Sequence, residues 1–329
     1  MSITTTLSRR TALGLGLGLG LTYLATPAVL RAAPARELRV GWQKGGILGL
    51  VKGSQAFEQA LADKGIRVSW SEFTSGPPLL EALSANALDF GYTGNVPPIF
   101  AHAARGNLLF VGAGQGSREG HAILVPKDSP IQSIADLKGQ KVAFKRGSSA
   151  HYATIRLLKT AGLTLDDITP QDLAPPDAIA AFDAGAIGAW TIWDPYFAAA
   201  QERPNTRVLS TTEGLEPDYN FYSANAGYVR DNPELVATLV QTVKQVGQQG
   251  QADLPDTIVT FSKETGLPQS VIERFLTRKG SDLGLVGYVE PKHVAYEQAV
   301  ADTFYDLKII PRQVDIASVV WTPPTSKGA

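Results

Sequence analysis

Residues 37–73, ELRVGWQKGGILGLVKGSQAFEQALADKGIRVSWSEF, contain two short apolar runs that flank a longer amphipathic one. Glu37 to Trp42 and Arg67 to Phe73 have the length and composition of strands, whereas Ile47 to Asp63 has helical spacing. Because strand, helix and strand in this order form a parallel pair, the stretch predicts an α/β fold.

The same alternation continues beyond this stretch. Further predicted elements are a helix at Pro77 to Ala85, a strand at Phe90 to Thr93, a helix at Pro97 to Arg105, strands at Ala122 to Val125 and Lys141 to Phe144, helices at Ala150 to Ala161 and Pro176 to Ala184, and a strand at Ala189 to Trp193. The last third is predicted to be mainly helical, with a helical stripe that starts at Leu235 and ends at Val243, and we expect it to pack on the first α/β unit.

Two parts of the chain look like copies of each other. Val40 to Gly46 matches Val142 to Ser148 in chemical character at an offset of 102, and Ala87 to Gly91 echoes Ala186 to Trp190 at an offset of 99. We therefore predict two pseudo-symmetric lobes. Residues 36–118 and 222–329 are expected to form the first lobe, and residues 119–221 the second.

A glycine-rich stretch at Gly112 to Ser117 invites a dinucleotide-binding interpretation, but Ser117 stands at the third glycine position and a strand follows instead of a helix. We interpret it as a crossover between the lobes. The return crossover is expected near Asp218 to Ser223.

Residues 1–35 have the layout of a signal peptide. Arg9 and Arg10 precede an apolar run from Leu13 to Leu24, and Ala33 to Ala35 is a suitable cleavage site. The paired arginines resemble a twin-arginine leader, and about 12 apolar residues are too few to span a bilayer, which needs around 20. We predict an exported, soluble, periplasmic protein whose leader is removed.

Composition excludes several function classes. The formal charge is −1, with 30 basic and 31 acidic residues, which argues against a nucleic-acid partner. There are no cysteines, so disulfides, thiol nucleophiles and cysteine metal sites are ruled out. Because Met1 is the sole methionine, the chain without its leader contains no sulfur. Such a composition suits a protein made when sulfur is scarce, although drift explains it equally well.

Four turns end predicted strands and lead into helices: Gln43 to Gly46, Thr93 to Asn95, Gly147 to Ser149, and Trp193 to Pro195. In open α/β sheets ligands bind at this edge, and helix N-termini favour anions. Ordinary helix capping accounts for any one of these turns, but four together predict an anion site between the lobes. The candidate ligand-binding residues are Gln43, Gly45, Thr93, Gly94, Asn95, His121, Ser148, Ser149, His151, Trp193 and Asp194.

Catalytic patterns are missing from the sequence. The histidines, His102, His121, His151 and His293, form no pair at metal-ligand spacing, and there is no nucleophile elbow. We expect no metal, no cofactor and no enzymatic activity. The less favoured alternative is an enzyme that uses His151.

At these residues the chain resembles the periplasmic aliphatic sulfonate-binding proteins of ABC importers, within the wider group of sulfonate, taurine and nitrate receptors. The resemblance is carried by Gly41 to Gly45, Gly76-Pro77, Leu80 to Leu83, Thr93 to Ala101, Asp136 to Gly139, Lys141 to Phe144, Gly147 to Ser149, Trp193 to Pro195, Leu307 to Pro311 and Val314 to Ile316.

The resemblance implies a two-lobe class II binding-protein fold in which each lobe is a mainly parallel sheet flanked by helices. It also implies that the protein closes on an organosulfonate and delivers it to an ABC permease, and we expect the protein to be a monomer. Thr93, Gly94, Ser148 and Ser149 would contact the sulfonate oxygens, Gln43 and Asp194 would position donors, and Trp193 would cover the tail.

Three positions depart from the family pattern. Asn95 and Gly188 stand where Asp is frequent, and His121 stands where an acidic residue is common. Fewer acidic groups disfavour an ammonium-bearing ligand, so we predict a preference for sulfonates with uncharged tails. Sulfate esters, taurine, nitrate and thiamine-precursor pyrimidines are the alternative ligands.

Overall fold

Two β-sheets, each covered by helices, organise residues 37–324, which are the residues that this computed structural model describes. The predicted leader, residues 1–35, lies outside them. The strands are β1 (Glu37–Trp42), β2 (Arg67–Glu72), β3 (Phe90–Gly94), β4 (Leu108–Gln115), β5 (His121–Pro126), β6 (Lys141–Phe144), β7 (Thr169–Asp172), β8 (Ala189–Trp193), β9 (Thr206–Thr211), β10 (Tyr219–Asn225) and β11 (Val286–Gly287).

The first sheet has the order β11-β4-β10-β3-β1-β2, and the second has the order β7-β6-β8-β5-β9. Both sheets are mixed, although the sequence predicts mainly parallel ones. In each sheet the strand–helix–strand units pair in parallel, and the strands next to the crossovers join in antiparallel orientation. The antiparallel strands arise because the chain leaves one sheet and enters the other without a covering helix.

The internal repeat has a structural counterpart. β1 lies between β2 and β3 in the first sheet as β6 lies between β7 and β8 in the second. The register agrees as well: Val40 pairs with Phe90, and Val142 pairs with Ala189, which are the residues related by the offsets of 102 and 99. The two sheets therefore pair their central strands, β1 and β6, with the neighbouring strands β3 and β8 in the same register.

The chain crosses between the sheets twice. It leaves the first sheet after Gln115 and enters the second at His121, as the glycine-rich stretch predicts. It returns between Thr211 and Tyr219, slightly earlier than expected. Residues 219–221, assigned to the second lobe from sequence, consequently hydrogen-bond within the first sheet as the start of β10.

Helices cover both sheets, and those with bounds predicted from sequence lie close to the expected positions, with one exception. They are α1 (Leu48–Gly53), α2 (Ala56–Leu61), α3 (Gly76–Ser84), α4 (Val96–Ala103), α5 (Ser149–Thr160), α6 (Pro175–Asp183), α7 (Tyr196–Gln201), α8 (Ala226–Asp231), α9 (Pro233–Ala252), α10 (Leu254–Thr265), α11 (Gln269–Leu276) and α12 (Pro291–Asp306).

The exception is the single helix predicted from Ile47 to Asp63, which is broken into α1 and α2. At the break Gln55 has a φ of 55°, and the Ser54 hydroxyl donates to the Leu50 carbonyl at 2.8 Å. A Cβ on Gly53 would lie 2.7 Å from the Glu264 side chain of α10, so glycine at this position permits close packing of α1 against α10. Tertiary packing thus overrides the helical periodicity.

The last third of the chain packs on the first sheet, as predicted. Leu235, Val236, Leu239, Val240 and Val243 of α9 are buried in the same apolar cluster as β1. Each fully buried side chain of this kind contributes roughly 1.5–3 kcal/mol. Within residues 37–324, no helix combines the length and apolar character needed to cross a membrane.

Candidate functional site

A cavity of about 90 Å³ lies between the two sheets, at the ends of their parallel strands. All four turns predicted from sequence contribute to its wall. It is lined by Gln43, Gly45, Gly46, Gly76, Tyr92, Gly94, Pro97, Gly116, Ser117, Gly120, His121, Ser148, Ser149, Trp193, Asp194, Asp218, Asn220 and Phe275. Residues from both lobes and from both crossovers therefore meet at one place.

Eight of the candidate residues line this cavity: Gln43, Gly45, Gly94, His121, Ser148, Ser149, Trp193 and Asp194. Three others, Thr93, Asn95 and His151, lie behind its wall and are buried. Side-chain periodicity explains the positions of Thr93 and His151. In β3, Tyr92 and Gly94 face the cavity, so Thr93 between them faces the opposite side.

His151 lies two residues after Ser149 in α5, which turns its side chain to another face of the helix. The Gly147 N–H donates to His151 Nδ1 at 3.3 Å, and the ring stacks on Phe144 with centroids 4.9 Å apart. Burial lowers the pKa of His151 to about 4. The ring thus packs against the Gly147 turn on the side away from the cavity, so it does not contact a ligand bound there.

The serine turn at the start of α5 offers two hydroxyl groups with different partners. Ser148 Oγ donates to the Lys145 carbonyl at 2.7 Å, which closes the turn. Ser149 Oγ lies 2.8 Å from His121 Nε2. α5 begins at Ser149, which lines the cavity, so the N–H groups of its first turn, which lack carbonyl partners four residues earlier in the helix, lie next to the cavity.

The glycine turn after β1 closes the opposite side of the cavity. Gln43 Nε2 donates to the Tyr92 carbonyl at 3.0 Å, which fixes the amide of a buried side chain. A Cβ on Gly45 would lie 2.7 Å from the Asp194 carbonyl oxygen. Only glycine allows this backbone of the first lobe to approach that of the second so closely.

Asp194 is held by an arginine from the other lobe. Arg278, which follows α11, donates through Nε to Asp194 Oδ2 and through a terminal nitrogen to Oδ1 at 3.1 Å. The same guanidinium donates to Gln201 Oε1 at 2.7 Å and lies 3.9 Å above the Phe197 ring. Burial raises the pKa of Asp194 to about 6, and the Arg278 charge opposes that rise.

Asp218, at the end of the second crossover, forms another buried polar cluster. Arg156 of α5 lies 2.8 Å from Asp218 Oδ1, and the Tyr296 hydroxyl donates to the same oxygen at 2.7 Å. Asn95 Nδ2 donates to the Tyr296 oxygen at 2.8 Å. The cluster joins α4, α5 and α12 beside the cavity.

These contacts balance the charge of the cavity. Asp194 and Asp218 are its acidic lining residues, and each is paired with an arginine, Arg278 and Arg156 respectively. None of the lining residues is a lysine or an arginine. The wall thus offers neutral donors to an anion and no unpaired carboxylate to an ammonium group.

Gly188 does not affect the charge of the cavity, although the sequence predicted that the missing Asp at this position would. It precedes β8 at the end of the strand opposite to Trp193, and its added Cβ would face Gln140. Its departure from the family pattern therefore has no bearing on the cavity.

Several lining residues were missed from sequence. Gly116, Ser117 and Gly120 belong to the crossover, and Gly46, Gly76, Tyr92 and Pro97 adjoin predicted turns or strands, so the topology could have suggested them. Asp218 and Asn220 lie in the stretch expected to form the return crossover but were not among the candidate residues, and Phe275 carries no local signal. The partner of Asp218, Arg156, is 62 residues away in the chain, and that of Asp194 is 84 residues away.

Known proteins are similar to this chain in sequence and in fold. A family model for the periplasmic phosphonate substrate-binding protein of ABC transporters matches residues 54–249. A relative from Escherichia coli (strain K12), named as an aliphatic sulfonates-binding protein, is 37% identical over 306 residues, which cover 93% of this chain and 95% of the relative.

Solved structures extend the comparison. The alkanesulfonate-binding protein SsuA from Xanthomonas axonopodis pv. citri, bound to MOPS, is 37% identical, with a TM-score of 0.82 over 88% of this chain and 99% of that one. The desulfurization enzyme DSZB has a TM-score of 0.68 at 14% identity, over 88% of this chain and 96% of its own, which shows a shared fold alone.

These similarities confirm the predicted resemblance and the two-lobe binding-protein fold. These two similarities cover 93% and 88% of the chain at 37% identity. The chain therefore belongs to the periplasmic substrate-binding proteins of ABC transporters, in the family that includes the aliphatic sulfonate-binding proteins.

Proposed function

We propose that this protein is an extracytoplasmic receptor that captures an organosulfonate in the cavity between its lobes. The observation that carries the proposal is the cavity itself, where four helix-leading turns from both lobes converge and both carboxylates are paired with arginines. Neutral hydrogen-bond donors and helix N-termini stabilise an enclosed anion without a fixed counter-charge.

The cavity wall also has an apolar part suited to the organic tail. Trp193 and Phe275 line it, together with Tyr92 and Pro97. The ammonium group of taurine would find Asp194 and Asp218 already occupied by Arg278 and Arg156, so we infer a preference for sulfonates with uncharged tails.

We further infer that the protein works in the periplasm as a monomer, and that it delivers its ligand to an ABC permease for sulfur acquisition. Family membership supports the transport role. The composition supports the sulfur role, because a chain without cysteine and with Met1 as its one methionine can be made when sulfur is scarce.

An enzymatic function has less support. His151, the residue that such an enzyme was expected to use, is stacked behind the Gly147 turn and does not line the cavity. The relatives at 37% identity are named as binding proteins. Binding without turnover is therefore the function that the site favours.

A thermal-shift screen of the purified protein tests this proposal, since a ligand that binds the folded state alone raises its apparent stability. The panel contains ethanesulfonate, hexanesulfonate, benzenesulfonate, hexyl sulfate, taurine, sulfate, nitrate and methylphosphonate. Tris replaces MOPS and HEPES as buffer because both of those are sulfonates themselves.

We expect alkyl- or arylsulfonates to raise the melting temperature more than taurine does. A shift with nitrate or methylphosphonate alone would reassign the ligand. No shift with any compound would contradict the receptor function, provided that bound ligand was first removed by unfolding and refolding.

A further inference from the structure

Three side chains form a line from the cavity to the second crossover. Ser149 Oγ lies 2.8 Å from His121 Nε2, and His121 Nδ1 lies 3.4 Å from Asp218 Oδ2. Ser149 and His121 line the cavity, and all three side chains belong to different elements. The imidazole is the single lining side chain, among the described residues, that can become a cation.

Charged groups surround this line. Arg156 comes from α5 and pairs with Asp218, whose Oδ1 also accepts from Tyr296 of α12. Glu297, next to Tyr296, is completely buried, and burial raises the pKa of its carboxyl group well above the ordinary value. Beyond Trp193, which pairs with His121 across the strands, lies the Asp194–Arg278 ion pair.

Burial lowers the pKa of His121, and the Asp218 charge only partly offsets this. In the ligand-free protein the ring is therefore neutral and carries one proton. The carboxylate of Asp218 can only accept, so the ring N–H belongs at Nδ1. His121 Nε2 is then an acceptor, and the Ser149 hydroxyl must donate to it.

An anion in the cavity conflicts with this arrangement. With its proton turned toward His121, Ser149 presents only lone pairs to the cavity and repels a sulfonate oxygen. The other neutral tautomer resolves that contact but points the Nδ1 lone pair at the Asp218 carboxylate. Only the imidazolium satisfies every group: Nδ1–H faces Asp218, Nε2–H donates to Ser149, and Ser149 donates to the anion.

We propose that this cavity takes up one proton together with its anion, and that His121 is the residue that holds the proton. The inference rests on the proposed function and deepens it. Solvent supplies the proton, and no covalent bond to the ligand forms or breaks. Because linkage is reciprocal, the anion raises the proton affinity of His121 as much as the proton raises the affinity for the anion.

The length of the contact between His121 and Asp218 also supports the proposal. His121 Nδ1 is buried and makes no hydrogen bond in the present arrangement, since 3.4 Å is long for one. Protonation would supply the charge that shortens this contact.

Titration calorimetry with ethanesulfonate measures the proton directly. The protein is titrated at pH 7.5 in bis-Tris, imidazole and Tris, cationic buffers that differ in ionisation enthalpy. The slope of the observed enthalpy against buffer ionisation enthalpy gives the number of protons taken up. The chosen pH of 7.5 lies above the pKa of Asp194, which is about 6, so this carboxyl group is mainly ionised during the titration.

We expect a positive slope that approaches one proton per site, and an affinity that rises by up to about tenfold for each pH unit from pH 8 to pH 7. His121→Gln donates to Ser149 without taking up a proton, so it should bind ethanesulfonate with zero slope and a flat pH profile. His102→Gln replaces a buried histidine outside the cavity and should keep the wild-type slope.

Two results would overturn the inference. If the wild type binds ethanesulfonate with zero slope, proton coupling is wrong and the receptor function stands. If it binds no sulfonate at any pH from 6 to 8, the receptor function fails, and this inference with it. If His121→Gln does not fold, ¹⁵N NMR of the wild-type histidine rings with and without ethanesulfonate tests the inference instead. Imidazolium and neutral imidazole differ in ¹⁵N shift, and the chain has only four histidines to assign.

Discussion

The side chains of Asp194 and Arg278 form a buried ion pair that joins the two lobes beside the cavity. Asp194 follows β8 of the second sheet, whereas Arg278 follows α11, which packs on the first. Their side chains are 4% and 7% exposed. A buried pair of this kind costs several kcal/mol of desolvation, and removal of one partner leaves the other charge uncompensated.

We therefore predict that Arg278 is required for tight closure. In Arg278→Ala the Asp194 charge remains buried when the lobes close, and we expect Kd for the sulfonate to rise by at least about tenfold, since breaking a buried pair typically costs 3–5 kcal/mol. Arg230→Ala, which removes an exposed arginine of α8 that pairs with Asp231, is the control and should bind normally. Equal affinities for the two variants in calorimetry would show that the pair does not contribute to closure.

Gly45 should be equally important for closure, for a steric reason. A Cβ at this position would lie 2.7 Å from the Asp194 carbonyl and 3.3 Å from Pro195. We expect Gly45→Ala to fold with a nearly unchanged melting temperature without ligand, but to lose most of the ligand-induced increase. Gly287→Ala, where an added Cβ has no neighbour within 4 Å, should keep that increase. A full ligand-induced shift in Gly45→Ala would rule out the clash.

The turns that form the cavity could be predicted because each is a local signal. Glycine, serine or asparagine between an apolar strand and an amphipathic helix marks the carboxyl edge of a sheet, and the repeat places two such turns in each lobe. The same local reasoning misplaced Thr93, Asn95 and His151, since it located the turns but not which side chains of each turn face the cavity.

The groups that balance the charge of the cavity could not be predicted. Asp194 pairs with Arg278, and Asp218 pairs with Arg156, across 84 and 62 residues of chain. These contacts depend on how the helices of the last third pack on the first sheet, and on where the second crossover ends. No spacing rule connects residues whose proximity arises only from tertiary structure.

The two serines of the α5 turn should differ in their effect on binding. Ser149→Ala removes a hydroxyl that we place on the anion, and a hydrogen bond to a charged group contributes about 1.5–3 kcal/mol, which corresponds to roughly 10- to 150-fold in Kd. Ser148→Ala removes the bond to the Lys145 carbonyl, so it should lower the melting temperature and affect Kd less. A larger loss of affinity in Ser148→Ala would assign the anion contact to Ser148 instead.

His102 should make the protein less stable in acid. Burial lowers the pKa of His102 to about 4, with a further contribution from Arg312, and its Nε2 has no hydrogen-bond partner. Between pH 6.5 and 4 the unfolded chain therefore binds a proton that the folded protein does not. Stability is retained above pH 6.5 and falls as the pH decreases toward 4, by about 3 kcal/mol for this residue.

His102→Phe keeps the ring contact with Phe110, whose centroid is 5.6 Å away, and removes the titrating group. The larger ring adds a packing cost that does not depend on pH. Urea unfolding at pH 7.5, 6, 5 and 4 should therefore give a difference in unfolding free energy that grows in favour of the variant as the pH falls. His102→Gln, without the extra volume, should show the same trend, and parallel curves for all three proteins would mean that His102 accepts its proton in the folded state.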